Sequence, residues 1–65
     1  MSRLKFYRLK AGLTQEEVAK ELDVTQSALS RWESGANPPL PKYRKRLRAL
    51  YHATEEELFP KEEQA

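Results

Sequence analysis

Cysteine is missing from this 65-residue chain, so neither a disulfide nor a zinc knuckle can staple it. Two glycines are too few to build a glycine-rich phosphate loop. With one histidine, His52, and no thiol, there is little from which to assemble a catalytic set. Glu55, Glu56 and Glu57 are consecutive, so on a helix they fan around the axis rather than converge. Complementing a helix dipole suits them better. No enzyme activity, cofactor or metal is expected. Apolar residues never run longer than three in a row, which argues against a transmembrane span or a secretory signal. Together with the lack of cysteine, this points to a cytoplasmic protein. A chain this short is one domain that buries only about 60% of its unfolded surface. That leaves no room for a two-layer enzyme with a deep cavity.

Charge is plentiful but segregated. Residues 1–48 carry eleven Lys/Arg against five Asp/Glu, whereas residues 54–65 carry five Glu against the single Lys61. A basic body with an acidic end suits a polyanion partner, because clustered cations attract a backbone of phosphates. Solubility of a small helical protein explains the same charge equally well.

Helical periodicity dominates, with no alternating strand pattern. A first helix is predicted over Arg3 to Ala11, with Leu4 and Tyr7 inward, Phe6 and Leu9 off that stripe, and Gly12 as terminator. Thr14 with Glu17 forms a capping box, and Leu13 with Val18 a hydrophobic staple, at the start of a second helix. Its inward stripe is Val18, Ala19 and Leu22. The pattern breaks at Asp23-Val24-Thr25, and Thr25 can cap a third helix that ends at Ser34-Gly35. A loop containing Pro38, Pro39 and Pro41 follows, and Pro41 suits the first turn of a fourth helix bearing Tyr43, Leu47, Leu50 and Tyr51. Thr54 with Glu57 opens a short fifth helix, stopped by Pro60. The domain is expected over residues 1–60, with 61–65 a polar tail.

Val18, Ala19, Leu22, Val24, Leu29 and Trp32 cannot share one stripe of one long helix, because Val24 breaks the register. Two short helices around a three-residue turn bury all six, with the small Ala19 at the close crossing. Thr14-Gln15-Glu16-Glu17-Val18-Ala19, Val24-Thr25-Gln26-Ser27 and Ser30-Arg31-Trp32-Glu33-Ser34-Gly35 resemble the Xre/Cro-type helix-turn-helix family. The resemblance covers roughly residues 3–59. It implies an all-α, compact five-helix, lambda-repressor-like domain, with the helix-turn-helix formed by helices 2 and 3 and helix 3 in the DNA major groove. The implied activity is sequence-specific binding of double-stranded DNA, as a transcriptional repressor acting as a homodimer. A protein partner, in an antitoxin-like or adaptor module using the same fold, is the alternative.

Residue chemistry agrees with the DNA reading. Gln26 offers a donor and an acceptor on one amide, a match for adenine N6 and N7. Ser27 is short enough to meet a base edge or a phosphate, as is Ser30 one turn on. Arg31 can fork onto guanine, bind a phosphate, or simply pair on the surface. Thr25 is first a cap. The resemblance places Gln15 on a backbone phosphate, Asn37 against the sugar-phosphate backbone, and Arg8 in a structural ion pair with Glu33. Trp32 reads as a core lid.

The sequence departs from the family at Asp23, where glycine is usual, and at Pro41 and Arg44, which replace apolar residues. Leu40 and Tyr43 are expected to compensate by shifted packing. Lys42, Arg44, Lys45, Arg46 and Arg48 suit a phosphate clamp, a membrane-surface helix, or a solvated face balanced by the glutamate-rich end. The membrane option would strip the fourth helix from the core.

Overall fold

The computed structural model describes residues 2–60, so the predicted polar tail at 61–65 lies outside the described residues. Five helices follow one another: α1 (Arg3–Lys10), α2 (Gln15–Leu22), α3 (Gln26–Ser34), α4 (Pro41–Tyr51) and α5 (Glu55–Leu58). Their starts are fixed by side chains. Ser2, Thr14, Thr25 and Thr54 each accept a hydrogen bond from a backbone amide three residues on, at 3.1 Å in every case. Glu17 and Glu57 return the bond to the amides of Thr14 and Thr54, completing two capping boxes. At α4, Pro41 takes over the start, and Leu40 caps through its backbone alone.

The ends of α1 to α4 share one device. Gly12, Asp23, Gly35 and His52 all adopt the left-handed conformation. Just beyond them, the amides of Leu13, Val24, Ala36 and Ala53 donate back to the carbonyls of Arg8, Ala19, Arg31 and Arg48 at 2.9–3.1 Å. These are Schellman closures. Three of the residues that follow the closures, Leu13, Val24 and Ala53, then pack on the core.

That core is Leu4, Val18, Leu22, Leu29, Leu47, Tyr51 and Leu58. Ala19 is buried as well, and α2 packs more extensively on α3 than any other helix pair packs together. Trp32 is half-buried, its ring 5.3 Å from that of Tyr43. Phe6 and Leu9 face outward, 47% and 51% exposed. Leu40, expected to help fill the core side of α4, is instead 60% exposed. Its place at the helix cap, after two prolines, directs it away, and Tyr43 alone makes the compensating contact. None of the described helices is long and apolar enough to cross a membrane.

Left-handed backbone is strained for any residue with a Cβ, although Asp and His tolerate it better than most. Asp23→Gly and His52→Gly should each raise stability, by about 1 kcal/mol or less once glycine's extra unfolded-state entropy is subtracted. Urea midpoints measure this, and a drop in either midpoint would contradict it. At α5, the Thr54 backbone N–H holds the Glu57 carboxyl below its usual range, helped by the Thr54 hydroxyl and by Tyr7. A depressed carboxylate stabilises above its unfolded pKa and stops doing so as pH falls through its folded value. The amide signals of α5 should therefore titrate together with Glu57, at a midpoint below that of a free glutamate.

Candidate nucleic-acid interface

The exposed side of α3 follows from which of its residues the core takes. Leu29 and Glu33 are buried, and Trp32 and Ala28 are half-buried. At 3.6 residues per turn, Ser27, Ser30 and Arg31 occupy the opposite side, and all three are exposed. Gln26 is exposed too, on the flank nearer Glu33. Thr25 presents its hydroxyl to the amide of Ala28, which is a capping role. Arg31 has no ion-pair partner among the described residues, so its guanidinium stays available to an outside acceptor. The first turn of α3 carries no carboxylate, in contrast to Glu16 and Glu17 at α2, so an external anion meets no competing charge there.

Beneath this face lies a buried pair of opposite charges. Arg8 and Glu33 are each 6% exposed. Arg8 Nε donates to Glu33 Oε2 at 2.6 Å, and Nη2 to Oε1 at 3.3 Å. The third guanidinium nitrogen, Nη1, donates to the Leu13 carbonyl at 2.9 Å. One side chain of α1 thus ties the α1–α2 loop to the end of α3. Hydrogen bonding to Glu33 raises the Arg8 pKa further, so the cation persists at any working pH. Tyr51 lies close by. Burial pushes its phenol up, the Glu33 carboxylate adds to this, and its hydroxyl makes no hydrogen bond.

Gln15 is half-buried and belongs to the same assembly. Its Nε2 donates to Glu33 Oε1 at 2.9 Å, and its Oε1 accepts from Gln26 Nε2 at 3.4 Å. Two residues picked out for separate tasks are therefore in contact. Nothing in the sequence announced this link, since Gln15 and Glu33 are separated by 18 positions. Asn37 is exposed just past α3, in a loop whose amide at Ala36 folds back onto the Arg31 carbonyl.

The cationic run on α4 divides between two half-buried arginines and three exposed cations. Arg44 is half-buried, pairs with Glu55, and lies 4.4 Å above the Phe59 ring. Arg48 Nε stands 3.5 Å from the same carboxylate. Arg46 donates to the Glu21 carbonyl at the end of α2, at 2.7 Å. Lys42 sits over the Tyr43 ring at 4.9 Å, while Lys45 is exposed. Of the three readings of this run, a solvated face balanced by the glutamate-rich end has support from these contacts, through Glu55.

The chain matches known proteins in sequence. Residues 4–58 match the family described as helix-turn-helix. The HTH-type transcriptional activator BcrR of Enterococcus faecalis is 38% identical over 61 residues, which cover 91% of this chain and 30% of that protein. The chain thus spans less than a third of that relative's length. No solved structure matches significantly.

Removing one member of the buried pair strands the other's charge. Glu33→Ala should cost about 3–5 kcal/mol, and replacing Arg8 and Glu33 together by apolar residues of similar volume should cost far less. Denaturant unfolding of both variants measures this. Equal losses in the two would show that the pair's charges are not what the variants respond to.

Proposed function

The chain belongs to the helix-turn-helix family, and from that premise we propose that it is a sequence-specific double-stranded DNA-binding transcription regulator that reads the major groove with α3. The observation that carries the proposal is a recognition helix with two separate faces. Leu29, Trp32 and Glu33 seat it, while Gln26, Ser27, Ser30 and Arg31 stand in solvent. In this reading Gln26 meets an adenine edge. Arg31 takes a guanine edge or a phosphate, and Ser27 and Ser30 fill the space between them. Gln15 and Asn37 bind backbone phosphates on either side, which fix position without reading sequence.

A single module of this kind buries only about 600–1,000 Å² on DNA, too little for tight selective binding, so two copies act together on a near-palindromic site. The described domain measures 29 × 22 × 22 Å. Two copies therefore fit side by side on half-sites about 34–36 Å apart. Repression follows where the operator overlaps the polymerase site, and activation where it lies beside it. The E. faecalis relative is named an activator.

Duplex binding should weaken steeply with salt, because each phosphate contact releases counterions. With the α4 arginines paired internally, Arg44→Gln should leave that slope nearly unchanged, whereas Arg31→Gln should lower it by about one. Gln26→Ala should relax preference at one base pair by about 1–3 kcal/mol. Selection from a random duplex pool, followed by mobility shifts across a salt series, tests all of this. Absence of duplex binding even at low salt would favour the protein-interaction module instead.

A further inference from the structure

The outward side of α1 is a small surface with a definite order of chemistry. At about 100° per residue, Lys10, Phe6, Leu9 and Lys5 follow one another across it, and all four are exposed. Beyond Lys10 comes the half-buried Tyr7, and beyond Tyr7 comes α5, joined by the Tyr7 hydroxyl donating to Glu57 at 3.2 Å. The two helices run antiparallel. Leu58 and Phe59 line one cleft with Ser2 and Leu4, while Glu57 lies near Tyr7 and Lys10. Glu56 is exposed and falls toward the C-terminal end of α1. α1 contains no acidic residue, and α5 no basic one. Among the described residues, the Lys5 ammonium and the Glu56 carboxylate have no partner.

Resting on the DNA reading above, we infer that the outward face of α1 is where a second copy of the chain docks when two copies share an operator. The face is self-complementary: a two-fold axis over the middle of α1 turns its order end for end. Phe6 then meets Lys10 of the second copy as ring against cation, and Leu9 meets Tyr7. Lys5 comes to the acidic flank, beside Glu56 of the second copy. Each cation finds a ring or a carboxylate, and no two cations are opposed. None of the residues assigned to DNA lies on this face, so docking there hides none of them. Size sets the strength. Eight residues of helix make a strip about 12 Å long and about 10 Å wide, far short of the roughly 800 Å² per partner that a stable complex buries. Free chains therefore stay monomeric, and the contact acts only where DNA holds two copies at high effective concentration. The result is cooperative filling of two half-sites.

The readout is cooperativity, the affinity of the second copy for a duplex with two half-sites divided by the affinity for a single half-site. Lys5→Glu and Glu56→Lys should each lower this ratio by about three- to tenfold, because each reversal acts at both symmetric contacts. The combined variant should restore it. Glu56→Lys discriminates most sharply, since its added cation should raise single half-site affinity while the ratio falls. Phe6→Ser with Leu9→Ser changes two outward side chains and should leave the two half-sites filling independently. An unchanged ratio in these variants, or no recovery in the combined one, would overturn the inference and leave the DNA reading standing. So would independent filling of the half-sites by the wild-type chain, which would leave this face to a different protein. A free dimer that survives the substitutions would count against it in the same way.

A second arm needs no DNA. In concentrated solution, the amide signals of Lys5 to Lys10 should move on dilution of the wild-type chain and stay fixed in Phe6→Ser with Leu9→Ser. Wild-type signals that ignore dilution would also count against the docking face. Failure of the DNA reading would appear differently, as a wild-type chain that ignores duplexes while these α1 signals still respond.

Discussion

Two opposite charges held out of water govern how this small domain is put together. An unpaired charge in such a place costs several kcal/mol, so Arg8 and Glu33 must meet, and their meeting fixes where α3 ends relative to α1 and the following loop. Leu29, Leu22, Val18 and Leu47 supply the favourable burial that folds the chain. Such contacts are non-directional and would tolerate small rotations of α3. A guanidinium with three of its nitrogens engaged tolerates far less. Burial supplies the stability, and the ion pair supplies the orientation of the helix that faces outward.

Electrostatics is divided between two helices in opposite ways. On α4, Arg44 and Arg48 are held against Glu55, Arg46 and Lys42 meet the Glu21 carbonyl and the Tyr43 ring from the surface, and Lys45 is exposed. On α3 the lone arginine is left outside. Total charge is therefore a poor guide to which cations are free to meet an outside anion.

Much of the architecture was written locally. Both capping boxes and the paired glycines at Gly12 and Gly35 mark helix boundaries by residue type alone, and the break at Asp23 to Thr25 follows from Val24 falling out of register. Elements fixed by chemistry within five residues are those a sequence displays. His52 shows the opposite case. It takes the left-handed turn after α4, a position that residue type advertises only weakly, so the Schellman closure there could not be foreseen. Leu40 was misplaced for a related reason, because periodicity says which residues are apolar but not whether a cap directs one into solvent. In the candidate site, the exposed residues of α3 were legible from helical geometry. The contact of Gln15 with both Glu33 and Gln26 was not, since it depends on the crossing of two helices and on long-range proximity that no spacing rule encodes.

The separation of the two sides of α3 bears on how such a protein diverges. Substitutions at Ser27, Ser30 or Arg31 fall on solvated positions, where stability usually changes by no more than about 0.5 kcal/mol. A lineage can change these three without endangering its fold. Gln26 is different, because its amide also meets the carbonyl oxygen of Gln15, at 3.4 Å. Its replacement therefore reaches a half-buried neighbour on α2 as well as the surface.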